Sequence, residues 1–387
     1  MRRNNVPCHS ERRRGIYIVV LTLTLGCLLS PSAYAQEVVD KNVLQFPPNE
    51  YFRATVIQVL EDGDGDRVVM SDIVQQVRLR IESGTEKGLE VTAQNALLAN
   101  KQEGLLLNVG DHVAGIKSYG IDGKAYSAID HLRVSPLLWI FFFLFVLVAF
   151  FGRIRGVMSL FGLLVSIAII ALFIVPQILQ GRDPLLVSVD GSLGILCISL
   201  YLAHGFKKQT TVALISTGIT LFISAGIAVL FVGIAHMFGS GSEEAIYLQF
   251  GITEGINLKG LFLGGVIIGT LGVLDDITTV QIATIKELKE ANTFFSFKEL
   301  YQRGIVIGRE HIASLVNTLA LAYTGASLPI LLLFTVYNNQ PLWMIVNSET
   351  ISEEIIRTLV GSVALILAVP ISTLCAAYYF SRTKPKH

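Results

Sequence analysis

The chain has 387 residues, 52% of them hydrophobic and 16% charged, with no formal net charge and a mean hydropathy of +0.59. That is much greasier than an average soluble domain, so the composition excludes a soluble globular protein and points to an integral membrane protein. The zero net charge conceals basic residues gathered in a few short connections, a distribution that argues for orientation in a bilayer and against binding nucleic acid.

Residues 1–35 carry the three parts of a secretory signal: Arg12 to Arg14, an apolar run from Ile16 to Leu29, and the small-x-small site Ala33-Tyr34-Ala35. Mature protein would begin near Gln36. An uncleaved anchor is the alternative, because the run is long for a signal and short for a span. Leu25-Gly26-Cys27 is only faintly like a lipoprotein site, since apolar residues continue past Cys27 and a better cleavage site follows. Cys8, Cys27, Cys197 and Cys375 lie in the leader or in apolar segments, none at metal or disulfide spacing, so no thiol chemistry is expected.

Residues 36–133 change to period-two alternation, clearest in Tyr51 to Leu60 and Ile73 to Ile81, with shorter runs at 88–93, 111–117 and 125–134. Short strands punctuated by Gly63, Gly65, Gly84, Gly88, Gly110 and Gly123 predict a small exported β-rich domain, best an OB-like barrel of five strands. Asp62-Gly63-Asp64-Gly65-Asp66 resembles a calcium loop, because alternate carboxylates can converge on one hard cation. The spacing fails at Arg67 and Ile73, where an EF-hand needs Gly and Glu, and a hairpin turn fits better. Tyr51, Tyr119 and Tyr126 are too scattered to make an oligomer-binding face.

Residues 134–381 hold apolar segments at about 136–152, 157–178, 184–204, 210–238, 257–282, 309–337 and 355–380, which predict seven transmembrane helices. With the barrel exported, twelve basic residues fall on the cytoplasmic side: Arg153, Arg155, Lys207, Lys208, Lys286, Lys289, Lys298, Arg303, Arg309 and, in the basic tail of residues 382–387, Arg382, Lys384 and Lys386. Arg182, Lys259 and Arg357 fall outside, so the positive-inside rule supports this orientation and a cytoplasmic C-terminus. No repeat is obvious, which lowers the prospect of paired inverted halves.

Function is expected where two apolar helices meet a charged turn. Asp275 lies about 24 Å along a helix counted from Lys259, in the inner quarter of a hydrocarbon core about 30 Å thick. Each aspartate would cost about 2.5–3.5 kcal/mol at the bilayer centre, while Leu, Ile, Phe or Val returns only about 0.3–0.6 kcal/mol. Asp275 and Asp276 must therefore lie near the interface, be protonated, or be paired inside the bundle.

The next segment offers partners. Ser296-Phe297-Lys298-Glu299 is a capping box, from which a helix runs through Arg309. On it Glu310, Ser314, Asn317, Leu321 and Thr324 share helical spacing, as do His311, Ser314 and Thr318. Asp275 with Thr278 and Thr279, and Asp276 with Thr279, make a stripe that could face them, so that Arg309 or a protonated His311 meets a carboxylate. Gly264, Gly265, Gly269 and Gly272 smooth one helix and Gly304 and Gly308 the next, with Gly265-x-x-x-Gly269 at close-packing spacing. Plain helix packing explains the glycines equally, and for the carboxylates an interfacial salt bridge competes with a proton, ion or substrate relay. Asp190 either lines an outer vestibule or snorkels, and His204 and His236 sit at span ends as ordinary interfacial histidines.

The runs Gly269 to Asp276 (GTLGVLDD), Ile307 to His311 (IGREH) and Tyr323 to Phe334 (YTGASLPILLLF) resemble, in this order, runs of the YibE/F-like family of bacterial multi-span membrane proteins. Gly152 to Gly156 (GRIRG), the leader and the β-rich domain fit the resemblance too. Glu310 stands where that family commonly has aspartate. The resemblance implies a multi-pass membrane architecture and no settled activity.

Three functions compete. The first is a permease or ion-coupled transporter with a gate of Asp275, Asp276, Arg309 and His311. The second is a non-enzymatic envelope scaffold or sensor whose residues 36–133 bind a protein partner. The third, an intramembrane hydrolase through Gly325-Ala326-Ser327-Leu328 or the paired aspartates, fails on geometry: adjacent helical residues point about 100° apart, and Ser327 lies many residues from any histidine. No catalytic group, metal set or cofactor is expected, the only certain partner is the bilayer, and no pattern sets an oligomeric state.

Overall fold

The computed structural model describes residues 49–61, 73–97, 106–120, 123–250, 255–336 and 341–382. The expected signal over 1–35 and the Asp62–Asp66 turn lie outside the described residues. The chain divides into two compact units, one holding the described residues up to Leu147 and the other those from Val148 onward.

The first unit contains a closed five-stranded barrel of β1 (Glu50–Glu61), β2 (Ile73–Ile81), β3 (Glu90–Leu97), β4 (His112–Gly120) and β5 (Gly123–His131), in the order β1-β2-β3-β5-β4. This is the expected OB-like barrel. Alternate residues point inward, so Phe52, Ala54 and Val56 of β1 join Val77, Leu79 and Ile81 of β2, Ala93 and Val113 in one core. β1 pairs with both β2 and β4, and register shifts after Val56 and Val59 mark bulges that bend it around the closure. Gly115 on β4 leaves room for the Phe52 ring, whose nearest atom would lie 2.4 Å from a Cβ there.

A polar network pins the β2–β3 loop to the barrel. Glu86 accepts from Lys117 and Lys124 at 3.0 Å and from the Tyr126 hydroxyl at 2.8 Å. Lys117, only 5% exposed, also lies 3.6 Å from Glu50, which accepts from the Tyr119 hydroxyl at 3.0 Å. The Lys117 and Lys124 ammonium groups and the Tyr126 hydroxyl hold the Glu86 carboxyl well below its usual range, at about 2.

Helices make up the rest: α1 (Val134–Ile169), a π-helical turn (Ile170–Ile174), α2 (Val175–Leu179), α3 (Pro184–His204), α4 (Lys208–Ile234), α5 (Glu243–Phe250), α6 (Leu258–Ala291), α7 (Phe297–Ala326), α8 (Leu328–Val336), α9 (Leu342–Val346) and α10 (Glu349–Ser381). Among the described residues six helical segments are long and apolar enough to cross a membrane, against seven expected. The difference lies in the first, Val134–Leu179, whose 46 residues would reach about 69 Å as one straight helix, twice the hydrocarbon thickness. It is not straight. Arg153 has φ 49° and ψ −145°, and a Cβ at Gly156 would meet the Val148 carbonyl at 2.6 Å, although eight residues of helix would separate them by about 12 Å. The chain turns back at Arg153, at the junction expected between the first two spans. The span expected at 309–337 instead starts at Phe297 and breaks at Ser327, with Pro329 in the first turn of α8, where its missing N–H costs nothing.

Within the second unit α4, α6 and α10 pack on one another, with α3 against α6 and α7 against α10. Beside large aliphatic residues such as Ile267, Leu274 and Leu365, their buried positions include small or hydroxylic ones: Ser216, Thr217 and Thr220 of α4, Thr270 and Thr278 of α6, and Ala368, Ser372 and Thr373 of α10. Small side chains let backbones approach where lipid supplies no hydrophobic drive. The hydroxyls are satisfied locally or across helices: Thr220 donates to the Ser216 carbonyl at 2.8 Å, and Thr217 and Thr278 share a bond of 2.6 Å.

Candidate functional site

Two caps set the register that positions Asp275. The Asp183 carboxylate accepts from the Leu186 amide at 3.1 Å to start α3, and Asn257 accepts from the Gly260 amide at 3.0 Å to start α6. Asn257 also donates to Asp183 at 3.3 Å, so the two helices begin side by side and run parallel. Gly260 packs on Pro184, and Gly264 on Ser188, where a Cβ would lie 2.3 Å from the hydroxyl. Carried down the seam, the same register brings Asp275 to α3, where the Ser199 hydroxyl lies beside its carboxylate.

Asp275 is half-buried, and its Oδ1 is buried with no hydrogen-bond partner. Asp276, one residue on, is exposed. His204 at the end of α3 lies within electrostatic reach of Asp276, Lys207 and Arg155. Thr279 donates to the backbone carbonyls of Asp275 and Asp276 at 2.9 and 3.2 Å, so its hydroxyl serves its own helix.

The turn into α7 is built as its sequence requires. Ser296 and Glu299 close the capping box, with the Ser296 amide 2.8 Å from the Glu299 carboxylate. Lys289 donates to the carbonyls of Thr293 and Phe295 at 2.6 and 2.9 Å, and Arg303 stacks over the Phe295 ring. Beyond the turn α7 seats on α6 and α10 through its glycines. A Cβ at Gly304 would meet Ile285 at 2.2 Å, and one at Gly308 would meet Val369 at 2.3 Å. Gln281 crosses this joint, donating to the Gly304 carbonyl and the Thr373 hydroxyl at 2.8 Å.

That seating turns the polar stripe of α7 outward. Leu300, Gly304 and Gly308 are its buried residues, while Arg309, Glu310, Ser314, Asn317, Thr318 and Thr324 are exposed. Arg309 and Glu310 therefore do not meet the aspartates. Among the described residues of this unit the ion pairs are Lys286 with Glu287 and Glu290 and Arg357 with Glu354, and none joins Asp275 or Asp276 to Arg309 or His311. His311 is half-buried and its Nδ1 is buried without a partner. On α6, a Cβ at Gly265 or Gly272 would meet nothing within 4 Å, and one at Gly269 would meet only the Tyr323 hydroxyl at 3.3 Å. Gly265, Gly269, Gly272 and Asp276 all lie on the exposed side of α6, as a glycine shelf that is open at Gly265 and Gly272 and touched by the Tyr323 hydroxyl at Gly269.

Three features escape a reading by stripes. Ser199 carries no signal of its own, since only the paired caps reveal that α3 reaches Asp275. Gln281 could have been noticed as an amide in an apolar run. Glu349 and Glu353 at the start of α10 are tied to a loop more than a hundred residues away: Glu349 accepts from the Phe238 and Gly239 amides at 2.6 and 2.7 Å and from the Ser240 hydroxyl at 2.9 Å, and Glu353 from the Gly241 amide at 2.9 Å. Gly239 has φ 83° and leaves no space for a Cβ, which would sit 2.3 Å from the Leu258 carbonyl.

A family model described as YibE/F-like protein matches residues 139–382. The chain belongs to the YibE/F-like family. Curated proteins and solved structures give no match. The matched residues of this YibE/F-like protein take in Asp275, Asp276, Ser199, His311 and the glycines of α6 and α7, whereas the barrel lies outside them. Asp275 thus lies within the region that the family model matches.

Proposed function

We propose that this YibE/F-like protein is a permease or ion-coupled transporter of the cell membrane, with Asp275 as its ion-responsive group and Asp276 and His311 as parts of the gate. The observation that carries the reading is the Asp275 carboxylate, which has a buried, unpartnered oxygen. A carboxylate sheltered from water without a fixed counter-charge is costly. It suits a group that takes up a proton or a small cation in one part of a cycle and releases it in another. The open glycine shelf beside Asp276 gives such traffic room. The basic residues near this end, Arg155 and Lys207 among them, support a cytoplasmic gate, an exported barrel and a cytoplasmic C-terminus under the positive-inside rule. On this reading the protein is not an enzyme, since Asp275 beside Ser199 and the exposed Asp276 diverge from one helix and form no dyad.

The test is flux into proteoliposomes carrying a trapped pH-sensitive dye, driven by a proton gradient and then by sodium or potassium gradients. Asp275→Asn should abolish the ion-dependent signal at unchanged protein incorporation. Flux equal to that of the parent protein would overturn the role of Asp275.

A second reading is a scaffold or sensor, favoured by the barrel forming a compact unit with its own core. Deleting residues 36–133 separates the two: preserved flux supports the transporter, and lost function with intact membrane insertion supports the sensor.

A further inference from the structure

The outward face of α7 does not suit lipid. Arg309, Glu310, Ser314, Asn317, Thr318 and Thr324 are all exposed on it. Of the six membrane-crossing segments α7 is the least apolar, yet only 6% of its most apolar stretch is buried, whereas Val134–Leu179 is similarly bare at 11% and is the most apolar of all. Thr318 serves its own helix by donating to the Ser314 carbonyl at 3.0 Å; lipid solvates Val134–Leu179, but it offers no partner to the Ser314 and Thr324 hydroxyls or the Asn317 amide. The charged residues from Lys286 to Arg303 set the water boundary near Arg309, which puts Asn317 about 12 Å and Thr324 about 22 Å inside.

We infer that this face is the contact between two copies of the chain, α7 against α7, about a two-fold axis along the membrane normal. Copies inserted in one membrane share an orientation, so equal residues meet at equal depth across such an axis. The face is complementary to itself. It carries both signs of charge on adjacent residues, Arg309 and Glu310, and neither has an ion-pair partner within the chain among the described residues. The two-fold brings Arg309 of each copy to Glu310 of the other, which neutralises both where they enter the membrane. Asn317 can donate to and accept from its own copy. Ala313 and Ser314, also exposed, are small enough to let the backbones approach.

The test is disulfide crosslinking of the full chain in native membranes, in a background with the native cysteines replaced. S314C and N317C should give a dimer in most of the protein under mild oxidation, while L319C, whose side chain faces Gly361 of α10, should give at least tenfold less. In the N317C background, R309E or E310R alone should lower the dimer yield several-fold, and the R309E/E310R pair should restore it. If the charge variants fail to fold, the N317C to L319C ratio in the otherwise unaltered chain still decides. Equal yields at positions 317 and 319, no dimer from folded N317C, or a product joining the chain only to a different protein would overturn the inference. So would rapid labelling of S314C and N317C by a water-soluble maleimide, since water would then line the face. None of these readouts depends on transport.

Discussion

Glu349 and Asp275 are acidic side chains on two helices that pack on each other, yet they are treated in opposite ways. Glu349 is wrapped by the amides of Phe238 and Gly239 and the Ser240 hydroxyl, and Glu353 takes the Gly241 amide. Their charge is spread over fixed backbone dipoles that close the α4–α5 loop onto α10. Asp275 has one neighbouring hydroxyl, Ser199, and a buried oxygen with nothing to accept from. The contrast teaches how to sort carboxylates in such a bundle. One saturated by backbone donors ties a loop to a helix, and one left short of donors and cations is, on the reading proposed above, the group open to a proton or ion.

The largest loss of stability is expected at Glu349. Glu349→Ala removes the acceptor for three amides and a hydroxyl, and stranding such donors costs about 1–3 kcal/mol each before water relieves some of it. A loss of about 2–4 kcal/mol is expected in thermal unfolding of the detergent-solubilised protein, and Glu349→Gln, which keeps one carbonyl oxygen, should lose less. Next comes the joint that turns the α7 stripe outward. Gly308→Leu drives a side chain into Val369, 2.3 Å from where its Cβ would stand, and overpacking of this kind costs about 1–3 kcal/mol. Its effect on Tm should rival that of Glu349→Ala if α7 and α10 form one rigid joint.

The smallest effect is expected in the barrel, which holds a third kind of carboxylate, saturated by side-chain cations. Two lysines and a tyrosine lower the Glu86 carboxyl from its usual 4.5 to about 2. Because the folded value is the lower one, the contribution is complete above the usual carboxylate range and fades as pH falls from about 4.5 towards 2. Hydrogen-exchange protection of the 82–89 loop in the full chain, taken relative to the intrinsic rate at each pH, should hold down to about pH 4 and fall below it. In Glu86→Gln the loop should exchange faster at neutral pH and lose that acid step.

Much of this was legible beforehand where a local period governs. The alternation of Tyr51 to Leu60 marks an inward row because a barrel strand has only two faces, and the Ser296–Glu299 box marks the start of α7 because capping is local. The facing of stripes was not legible. Arg309 and Asp275 lie on consecutive helices, and adjacency in sequence invited a contact. The glycines at 304 and 308 instead press α7 onto Ile285 and Val369, so the polar stripe points away, while Asp183 and Asn257 hand Asp275 to α3. Gly265 and Gly272 share the spacing of packing glycines but face open space, since spacing records which residues share a face and says nothing of what covers it. The place of the turn at Arg153 was legible from the gap between the apolar runs 136–152 and 157–178, whereas the single backbone conformation that makes it, with φ 49°, was not.

The most direct measurement is Asp275→Asn read for stability and flux on the same preparation. With no ion pair to lose, the variant should unfold within about 1 kcal/mol of the parent protein and should lose ion-dependent flux in proteoliposomes. A variant destabilised as much as Glu349→Ala, with flux per folded molecule intact, would make Asp275 another structural tie and contradict the account.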